Sequence, residues 1–383
     1  MFVNQHHLQY LLEPVHYTDP AQLDREIREL MVPSWQLVAS QSELPRPGDY
    51  ATLNLLGHSL LIRNCEGTIR AFQNVCAHRH CQLASEPYGH SPVLQCQYHG
   101  WEYDSSGKTK KIPDARCFRP WDRDHSQLVT YRTETCGDLV FVALTDSPPS
   151  LREWLAPNFD DLERDFSPPE WRRCWNWDYE APCNWKIPLE NTVESYHVAM
   201  LHKKFYGSFY PSEEKSLHVL TDRYTELTYL SDTRMEAWQA RLRKYLGGTP
   251  TNQYVHRHYF PNTVLVTTDS FNYGLTLIPL APDRVRIVLR AYTLHGKTWN
   301  PITRLVTLYA GWAGKKYTLQ VHNEDRAVYP AQQKGIEASR QKGVLGTREE
   351  RIYAFQEYIL KSLGLPLPVN HGCRQSDFHG TSV

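Results

Sequence analysis

Two short segments of the chain each combine one cysteine with one histidine, and this pairing constrains the protein more than any other feature. The first is Cys76-Ala77-His78 and the second is Cys96-Gln97-Tyr98-His99. The other seven cysteines show no comparable spacing. In a chain of 383 residues, regularly spaced cysteines more often ligate a metal than form disulfides, provided that the compartment is reducing. The two segments therefore predict a metal site with two thiolates and two imidazoles.

Two kinds of metal centre use this set of ligands. In a Rieske-type [2Fe–2S] cluster two cysteines hold one iron and two histidines hold the other, and the neutral imidazoles raise the reduction potential. A structural zinc site also takes two cysteines and two histidines. In common zinc modules, however, cysteine pairs with cysteine and histidine with histidine along the chain. Because each segment here is mixed, we favour the iron–sulfur cluster and keep zinc as the alternative.

A second group of possible ligands lies between residues 190 and 202, in the sequence ENTVESYHVAMLH. His197 and His202 are five residues apart, so on an ideal α-helix their directions differ by about 140°. Both can reach one metal only if the helix is broken or widened, and we predict such an irregularity, for example a π-type bulge. Two histidines and one carboxylate leave open positions on an iron for oxygen and substrate. The carboxylate must come from elsewhere in the chain.

The order of helical and strand-like segments predicts two domains of α+β class. Residues 1–40 have a helical pattern and form a lead-in, which we expect to pack on the second domain. Residues 41–150 contain short segments rich in β-branched and aromatic residues and predict an all-β domain. Its end is marked by Pro148-Pro149. Residues 151–383 contain antiparallel strands followed by helices.

The motifs resemble those of Rieske non-haem iron oxygenases of the ring-hydroxylating type. The segments NVCAHRHCQL and CQYHGWEYDSSG resemble the two cluster-binding loops of the family, with His80 where the family often has glycine. The segment ENTVESYHVAMLH resembles the iron-binding motif of the catalytic (alpha) subunits. The resemblance implies that residues 41–150 hold the cluster and that residues 151–383 form a helix-grip-like catalytic domain.

The same resemblance implies the ligands of both centres. The cluster ligands are Cys76, His78, Cys96 and His99. The mononuclear iron is held by His197, His202 and an aspartate of a late helix. In this chain the matching residue is Asp325, with the adjacent Glu324 as the alternative.

The family also implies partners and co-substrates. Glu194 corresponds to an acid that joins the iron ligand His197 to a cluster histidine, His99, of a neighbouring subunit in a head-to-tail homotrimer, and Asn191 is a second candidate catalytic residue. Oxygen is the co-substrate, and electrons come from NAD(P)H through a separate flavin or iron–sulfur reductase, with or without a ferredoxin. The chain has no G-x-G-x-x-G fingerprint with which to bind the dinucleotide itself.

The substrate is expected to be a small molecule. Glu194 and the segment NEDRAVYPAQQKG resemble the branch that includes choline, carnitine and betaine monooxygenases, which suggests a quaternary ammonium compound or a related amine. Aromatic residues can hold such a cation over their rings. The candidates are Phe205, Tyr206, Phe209, Tyr210, Tyr254, Phe260 and Tyr273. These residues would equally suit the core or a pocket for aromatic rings, so ring dioxygenation is the alternative, and a pure electron-transfer protein is the alternative of another class.

The charge of the chain limits its other partners. It has 42 basic and 42 acidic residues, so no net field attracts nucleic acid or an anionic membrane. The N-terminal sequence has no cationic start followed by an apolar core, and no stretch approaches the roughly 20 apolar residues that a membrane-spanning helix needs. We therefore expect a cytoplasmic protein.

Overall fold

The computed structural model describes residues 1–120, 126–207, 210–230, 234–295 and 300–367, without the side chains of residues 205, 206 and 234–236. Within these residues, two seven-stranded antiparallel sheets form the framework of the molecule. Among them, no helix combines the length and the apolar character needed to cross a bilayer.

The N-terminal segment is mainly helical and ends earlier than expected. It contains the elements β1 (Leu8–Gln9), α1 (Val15–Thr18), α2 (Pro20–Glu26) and one π-helical turn (Ile27–Met31). Asp19 caps α2 by accepting a hydrogen bond from the backbone N–H of Ala21 (3.1 Å). The predicted lead-in extended to residue 40, but residues 35–40 form a strand, and all six side chains are buried because this strand pairs with β11 and packs on the second sheet.

The strands of the cluster-binding half follow this segment. They are β2 (Trp35–Ser40), β3 (Asp49–Leu55), β4 (His58–Cys65), β5 (Thr68–Gln73), β6 (Tyr88–His90), β7 (Leu94–Gln95), β8 (Glu102–Tyr103), β9 (Thr109–Lys111), β10 (Thr130–Cys136) and β11 (Leu139–Ala143). The large sheet has the order β2-β11-β10-β5-β4-β3-β6, and β7-β8-β9 form a separate small sheet. The small sheet and the chain that follows β5 carry the two cysteine–histidine segments.

The catalytic half contains one continuous antiparallel sheet. Its strands are β12 (Trp171–Ala181), β13 (Ser216–Leu220), β14 (Tyr224–Leu230), β15 (Gln253–Tyr259), β16 (Thr263–Thr267), β17 (Phe271–Ala281) and β18 (Arg284–Leu294), in the order β12-β18-β17-β16-β15-β14-β13. All five residues of β16 are buried, as expected for a strand covered on both faces.

Eight helices of this half lie in the described residues. They are α3 (Leu151–Trp154), α4 (Phe159–Asp165), α5 (Lys186–Thr192), α6 (Val198–Leu201), α7 (Lys203–Tyr206), α8 (Arg234–Tyr245), α9 (Pro301–Ala338) and α10 (Glu350–Ser362), and a short strand β19 (Val344–Leu345) pairs with β1. Asn300 starts α9 by accepting hydrogen bonds from the backbone N–H groups of Ile302 (2.9 Å) and Thr303 (3.0 Å). With 38 residues, α9 is about 57 Å long. It lies against β18 and β12 and brings its middle to the iron-binding segment.

The two halves share a buried interface at strand β2. The Thr276 hydroxyl donates a hydrogen bond to the Leu37 carbonyl (3.1 Å), and the hydroxyls of Ser40 and Tyr292 lie 2.6 Å apart. Strands β2 and β17 approach each other so closely that a Cβ atom at Gly274 would lie 2.8 Å from the Leu37 side chain. Strand β2 therefore belongs to the first sheet and also packs on the second, which joins the halves firmly.

Candidate metal centres

The two cysteine–histidine segments adopt the same turn. In each, the cysteine N–H donates to the carbonyl five residues later, from Cys76 to Cys81 and from Cys96 to Trp101 (both 2.8 Å). The residue four places after each cysteine has a positive φ, +60° at His80 and +69° at Gly100. Glycine adopts this conformation freely, whereas a side chain there costs about 1–2 kcal/mol. The departure at His80 therefore costs stability, although the fold of the loop is kept.

The turns bring the four expected cluster ligands together in a largely buried setting. Cys76 and Cys96 are 1% and 2% exposed, and the rings of His78 and His99 are 4.6 Å apart. The Tyr103 hydroxyl lies 3.0 Å from Cys76 Sγ, and hydrogen bonds to cluster sulfurs tune the potential. The His78 ring stacks on the Trp101 ring at 4.9 Å, and its buried Nδ1 has no hydrogen-bond partner among the described residues. A buried ring nitrogen that has no hydrogen-bond partner among the described residues fits a metal ligand.

The spacing of these groups distinguishes between the two kinds of centre. A tetrahedral zinc ion holds sulfur at about 2.3 Å and nitrogen at about 2.0 Å, so its ligand atoms lie close to one another. Among the described residues, the one set of three or more such groups within 4.8 Å of each other lies elsewhere, in the catalytic half. The cysteine–histidine turns hold no set this compact among the described residues, which favours a two-iron cluster over a single zinc ion.

The helix that begins at Lys186 is interrupted before His197, whereas the sequence predicts an irregularity between His197 and His202. It stops at Thr192, and a new short helix starts after His197 and stops before His202. The Glu194 carboxylate accepts hydrogen bonds from the backbone N–H groups of Tyr196 and His197 (3.3 Å for the latter). These backbone groups would otherwise be unpaired at the start of α6. The interruption is a complete break, and the segment between the two histidines keeps α-helical hydrogen bonds, from the Leu201 N–H to the His197 carbonyl (2.9 Å) and from the His202 N–H to the Val198 carbonyl (3.0 Å).

Both histidines face the same acid on α9. The Oδ1 atom of Asp325 lies 3.1 Å from His202 Nε2 and 3.6 Å from His197 Nε2. The ligand atoms of all three residues lie within 4.8 Å of one another. Asp325 is 6% exposed. Burial acts to raise the pKa of Asp325, but the neighbouring histidines outweigh it and lower that pKa, so the carboxylate remains ionised and available to a metal.

The other nitrogen of each histidine is held by a glutamate. His197 Nδ1 is hydrogen-bonded to Glu194 Oε1, and His202 Nδ1 is hydrogen-bonded to Glu324 Oε2 at 2.8 Å. Glu324 thus contacts the side of the ring that points away from Asp325. This geometry favours Asp325 over Glu324 as the carboxylate ligand.

A small cavity adjoins Asp325. It is lined by Tyr179, Pro188, Asn191, Thr192, Leu275, Leu277, Ile287, His322, Asp325 and Tyr329. The His322 ring packs edge-on to the rings of Trp177 (5.9 Å) and Tyr273 (6.2 Å). Burial lowers the pKa of His322, so this wall of the cavity carries a neutral imidazole.

The expected pocket residues have different surroundings. Tyr273 contacts His322 at the cavity, and Tyr254 lies beside His256, which contacts the cavity residue Thr192. Phe260 lies in the core, stacked on Tyr358 at 4.5 Å, because β15 directs it towards α10. Tyr210 is 49% exposed and stacks on Tyr196. The side chains of Phe205 and Tyr206, and Phe209 as a whole, lie outside the described residues.

Three functional contacts were not predicted from the sequence. They are the bond from Glu324 to His202, the position of His322, and Tyr329 in the cavity wall. His322 and Tyr329 lie one helical turn before and after Asp325, so their i, i+3 and i, i+4 spacing was an available signal.

Comparison with known proteins agrees with these two centres. Residues 34–132 match the Rieske [2Fe-2S] domain model, and residues 168–364 match the model of the ring hydroxylating alpha subunit (catalytic domain). The chain belongs to the ring-hydroxylating alpha-subunit family. The expected α+β class, the expected [2Fe–2S] cluster and the expected mononuclear iron are thereby confirmed for this alpha subunit.

Individual relatives share moderate identity with this alpha subunit. The glycine betaine monooxygenase oxygenase subunit of Chromohalobacter salexigens is 27% identical over 224 residues, 58% of this chain and 50% of the relative. The carnitine monooxygenase oxygenase subunit of Acinetobacter pittii is 28% identical over 286 residues, 73% of this chain and 74% of the relative. The aligned region therefore spans only half the length of the first relative and about three quarters of the second.

A solved structure shares the complete fold. The quaternary ammonium Rieske monooxygenase CntA in complex with L-carnitine superposes with a TM-score of 0.73, covering 92% of this chain and 95% of that one at 20% identity. The resemblance to the carnitine and betaine branch that the sequence suggested is confirmed at the level of family and fold.

Proposed function

We propose that this alpha subunit is the terminal oxygenase component of a Rieske oxygenase, which uses dioxygen and reductase-supplied electrons to hydroxylate or oxidatively cleave a small organic substrate. The observation that carries the proposal is the convergence of His197, His202 and Asp325 in a chain that also carries two cluster-binding turns. An electron carrier needs the cluster alone. When bound, the mononuclear iron supplies oxygen activation, and the cluster supplies single electrons.

We propose ligand roles that follow from the contacts. Cys76, His78, Cys96 and His99 hold the cluster. His197, His202 and Asp325 hold the iron, each histidine through Nε2, because Nδ1 is engaged by a glutamate. Such outer carboxylates fix the tautomer and orientation of a metal-bound imidazole.

For Glu194 we propose a second task, to connect His197 with His99 of a neighbouring subunit in a head-to-tail trimer. Its side chain is 8% exposed and already engages His197, which supports its role on the iron side. Asn191 lines the cavity beside Asp325, and we propose that it contacts the substrate or oxygen. Electrons would come from NAD(P)H through a separate reductase, and that supply supports a cytoplasmic location.

A quaternary ammonium compound or a related amine is the proposed substrate class. The relatives named above act on glycine betaine and carnitine, and CntA binds L-carnitine. In this chain, Tyr179 stacks on Trp177 (4.1 Å), and Tyr179 lines the cavity. A methylated ammonium group is attracted to such ring faces by about 0.5–2 kcal/mol. Aromatic-ring oxygenation is the second candidate, because the same rings can stack on an aromatic substrate.

Turnover tests this proposal directly. The purified protein would be supplied with NADH, a surrogate reductase and a panel of carnitine-like amines and simple aromatic acids, and products would be detected by mass. We expect an oxygenated or demethylated amine product and about three irons per chain, two in the cluster and one at the mononuclear site. The His197→Ala variant is the control, in which product should disappear.

Two outcomes would count against the proposal. An iron content of two per chain with no product from any substrate would favour an electron carrier. Products from aromatic acids alone would retain the oxygenase and reject the amine class.

A further inference from the structure

We propose that Glu324 is a positioning residue, which fixes the ring of His202 so that its Nε2 atom faces the iron. The inference rests on the proposed function, because it concerns the iron site of the oxygenase. It assigns to Glu324 a task distinct from ligation.

The contacts of His202 show how the ring is held. Its Nδ1 lies 2.8 Å from Glu324 Oε2, and its Nε2 lies 3.1 Å from Asp325 Oδ1. The two acids are consecutive on α9, and their side chains leave the helix about 100° apart. The imidazole is therefore enclosed between neighbouring carboxylates, one at each nitrogen. Of the two ring nitrogens, Nε2 is the one that faces the same Asp325 oxygen as His197.

Glu324 lies nearer the surface than the ring that it contacts. The His202 side chain is 2% exposed, whereas that of Glu324 is 24% exposed. Glu324 lies at the edge of an open surface concavity of about 500 Å³, and it separates the buried ring from that concavity. Gln320, one turn earlier on α9, donates a hydrogen bond to Glu324 Oε1 (3.3 Å). One oxygen of the carboxylate is thus held by its own helix, and the other accepts from the ring.

The hydrogen bond selects one form of the imidazole. A carboxylate can only accept, so the hydrogen bond to Glu324 keeps a proton on Nδ1 and leaves Nε2, which faces Asp325, as the nitrogen that a metal would use. Removal of such an outer partner typically weakens metal binding 10–100-fold. His197 has the corresponding contact with Glu194. Each of the two proposed ligands therefore has its own carboxylate, Glu194 for His197 and Glu324 for His202.

The experiment measures Fe(II) binding rather than turnover. Cluster-loaded protein lacking the mononuclear iron would be titrated with Fe(II) in competition with a chelator, for the wild type and for Glu324→Ala, Glu324→Gln and Asn323→Ala. Asn323 lines the same concavity, and its variant is the matched control. Nitric oxide added to the loaded proteins serves as a spin probe of the iron geometry by electron paramagnetic resonance.

We expect Glu324→Ala to bind Fe(II) 10–100-fold more weakly and to give an altered or heterogeneous spin signal. Glu324→Gln should lie between it and the wild type, because its carbonyl can still accept from Nδ1 without the charge. Asn323→Ala should match the wild type. Cluster absorbance and the melting temperature of the iron-free protein should be the same in all four proteins. If Glu324 acted mainly in folding, the Glu324→Ala variant would melt at a lower temperature.

The inference is overturned if Glu324→Ala binds Fe(II) with wild-type affinity and gives an unchanged spin signal. If Glu324→Ala does not fold, Glu324→Gln decides by the same criterion, since it preserves the size of the side chain. Failure of the proposed function would look different. The wild type would then bind no more Fe(II) than the His197→Ala variant binds.

Discussion

A buried ion pair joins the N-terminal segment to the helix that leads to the iron site, and its disruption should destabilise the catalytic half. Lys186 Nζ lies 2.7 Å from Glu26 Oε2, and both side chains are fully buried. Replacing Lys186 with methionine leaves the Glu26 carboxylate buried without its cation. Breaking such a pair on one side costs about 3–5 kcal/mol. Trp185 Nε1 (2.8 Å) and Gln22 Nε2 (3.0 Å) still donate to Glu26, so we expect about 3 kcal/mol, the lower end of that range.

Thermal unfolding measures this loss. For a unit of 150–250 residues, 1 kcal/mol shifts the melting temperature by about 2–4 °C, so Lys186→Met should melt about 6–12 °C below the wild type. The double variant Glu26→Gln/Lys186→Met removes both charges and should recover most of the difference. Far-UV circular dichroism follows the transition, and cluster absorbance reports separately on the cluster-binding half. A single variant within about 2 °C of the wild type, or a double variant no more stable than the single one, would refute the reasoning.

Three further predictions concern the metal centres and the pH dependence of stability. His197→Ala should keep the optical spectrum of the cluster while losing the mononuclear iron, and unchanged iron content would identify other ligands. Glu194→Ala should keep both centres but discharge a pre-reduced cluster slowly in stopped flow; oxidation at the wild-type rate would remove its connecting role. Burial acts to raise the pKa of Glu350, but hydrogen bonds from His218 and from Asn4 outweigh it and lower that pKa from 4.5. The stability that Glu350 contributes is therefore present above pH 4.5 and is lost as the pH falls through its folded pKa. Below pH 4.5 the melting temperature of the wild type should therefore fall more steeply with decreasing pH than that of Glu350→Gln. Parallel curves of melting temperature against pH would contradict this.

Much of the fold and both metal centres could be predicted because the relevant signals are local. The mixed cysteine–histidine turns are defined by residue type and spacing. An irregular helix near His197 and His202 follows from the angle that five helical residues impose, although the break itself lies before His197. The separation into a β-rich half and a half with strands and long helices follows from side-chain periodicity.

The remaining features depend on distant contacts that spacing does not encode. Strand β2 is buried because the two large sheets meet at it. The helical pattern of the residues before it gave no indication of a strand at this position. Which of Glu324 and Asp325 faces the iron depends on the rotation of α9 about its axis, which packing against β18 and β12 decides. Phe260 has the composition expected of a pocket residue, yet the approach of α10 makes it part of the core.

The proposed iron ligands come from two parts of the chain about 120 residues apart, with His202 between α6 and α7 and Asp325 on α9. An ion shared by them acts as a removable cross-link that closes this long loop. Because it binds the folded form, it adds about 2.7 kcal/mol of stability at a free concentration one hundred times its dissociation constant. Chelation should therefore increase hydrogen exchange first in residues 193–207, which comprise the break after α5 and the short helices α6 and α7, while α9 keeps its contacts with the sheet. Iron supply would then set the stability of the folded catalytic half as well as its activity.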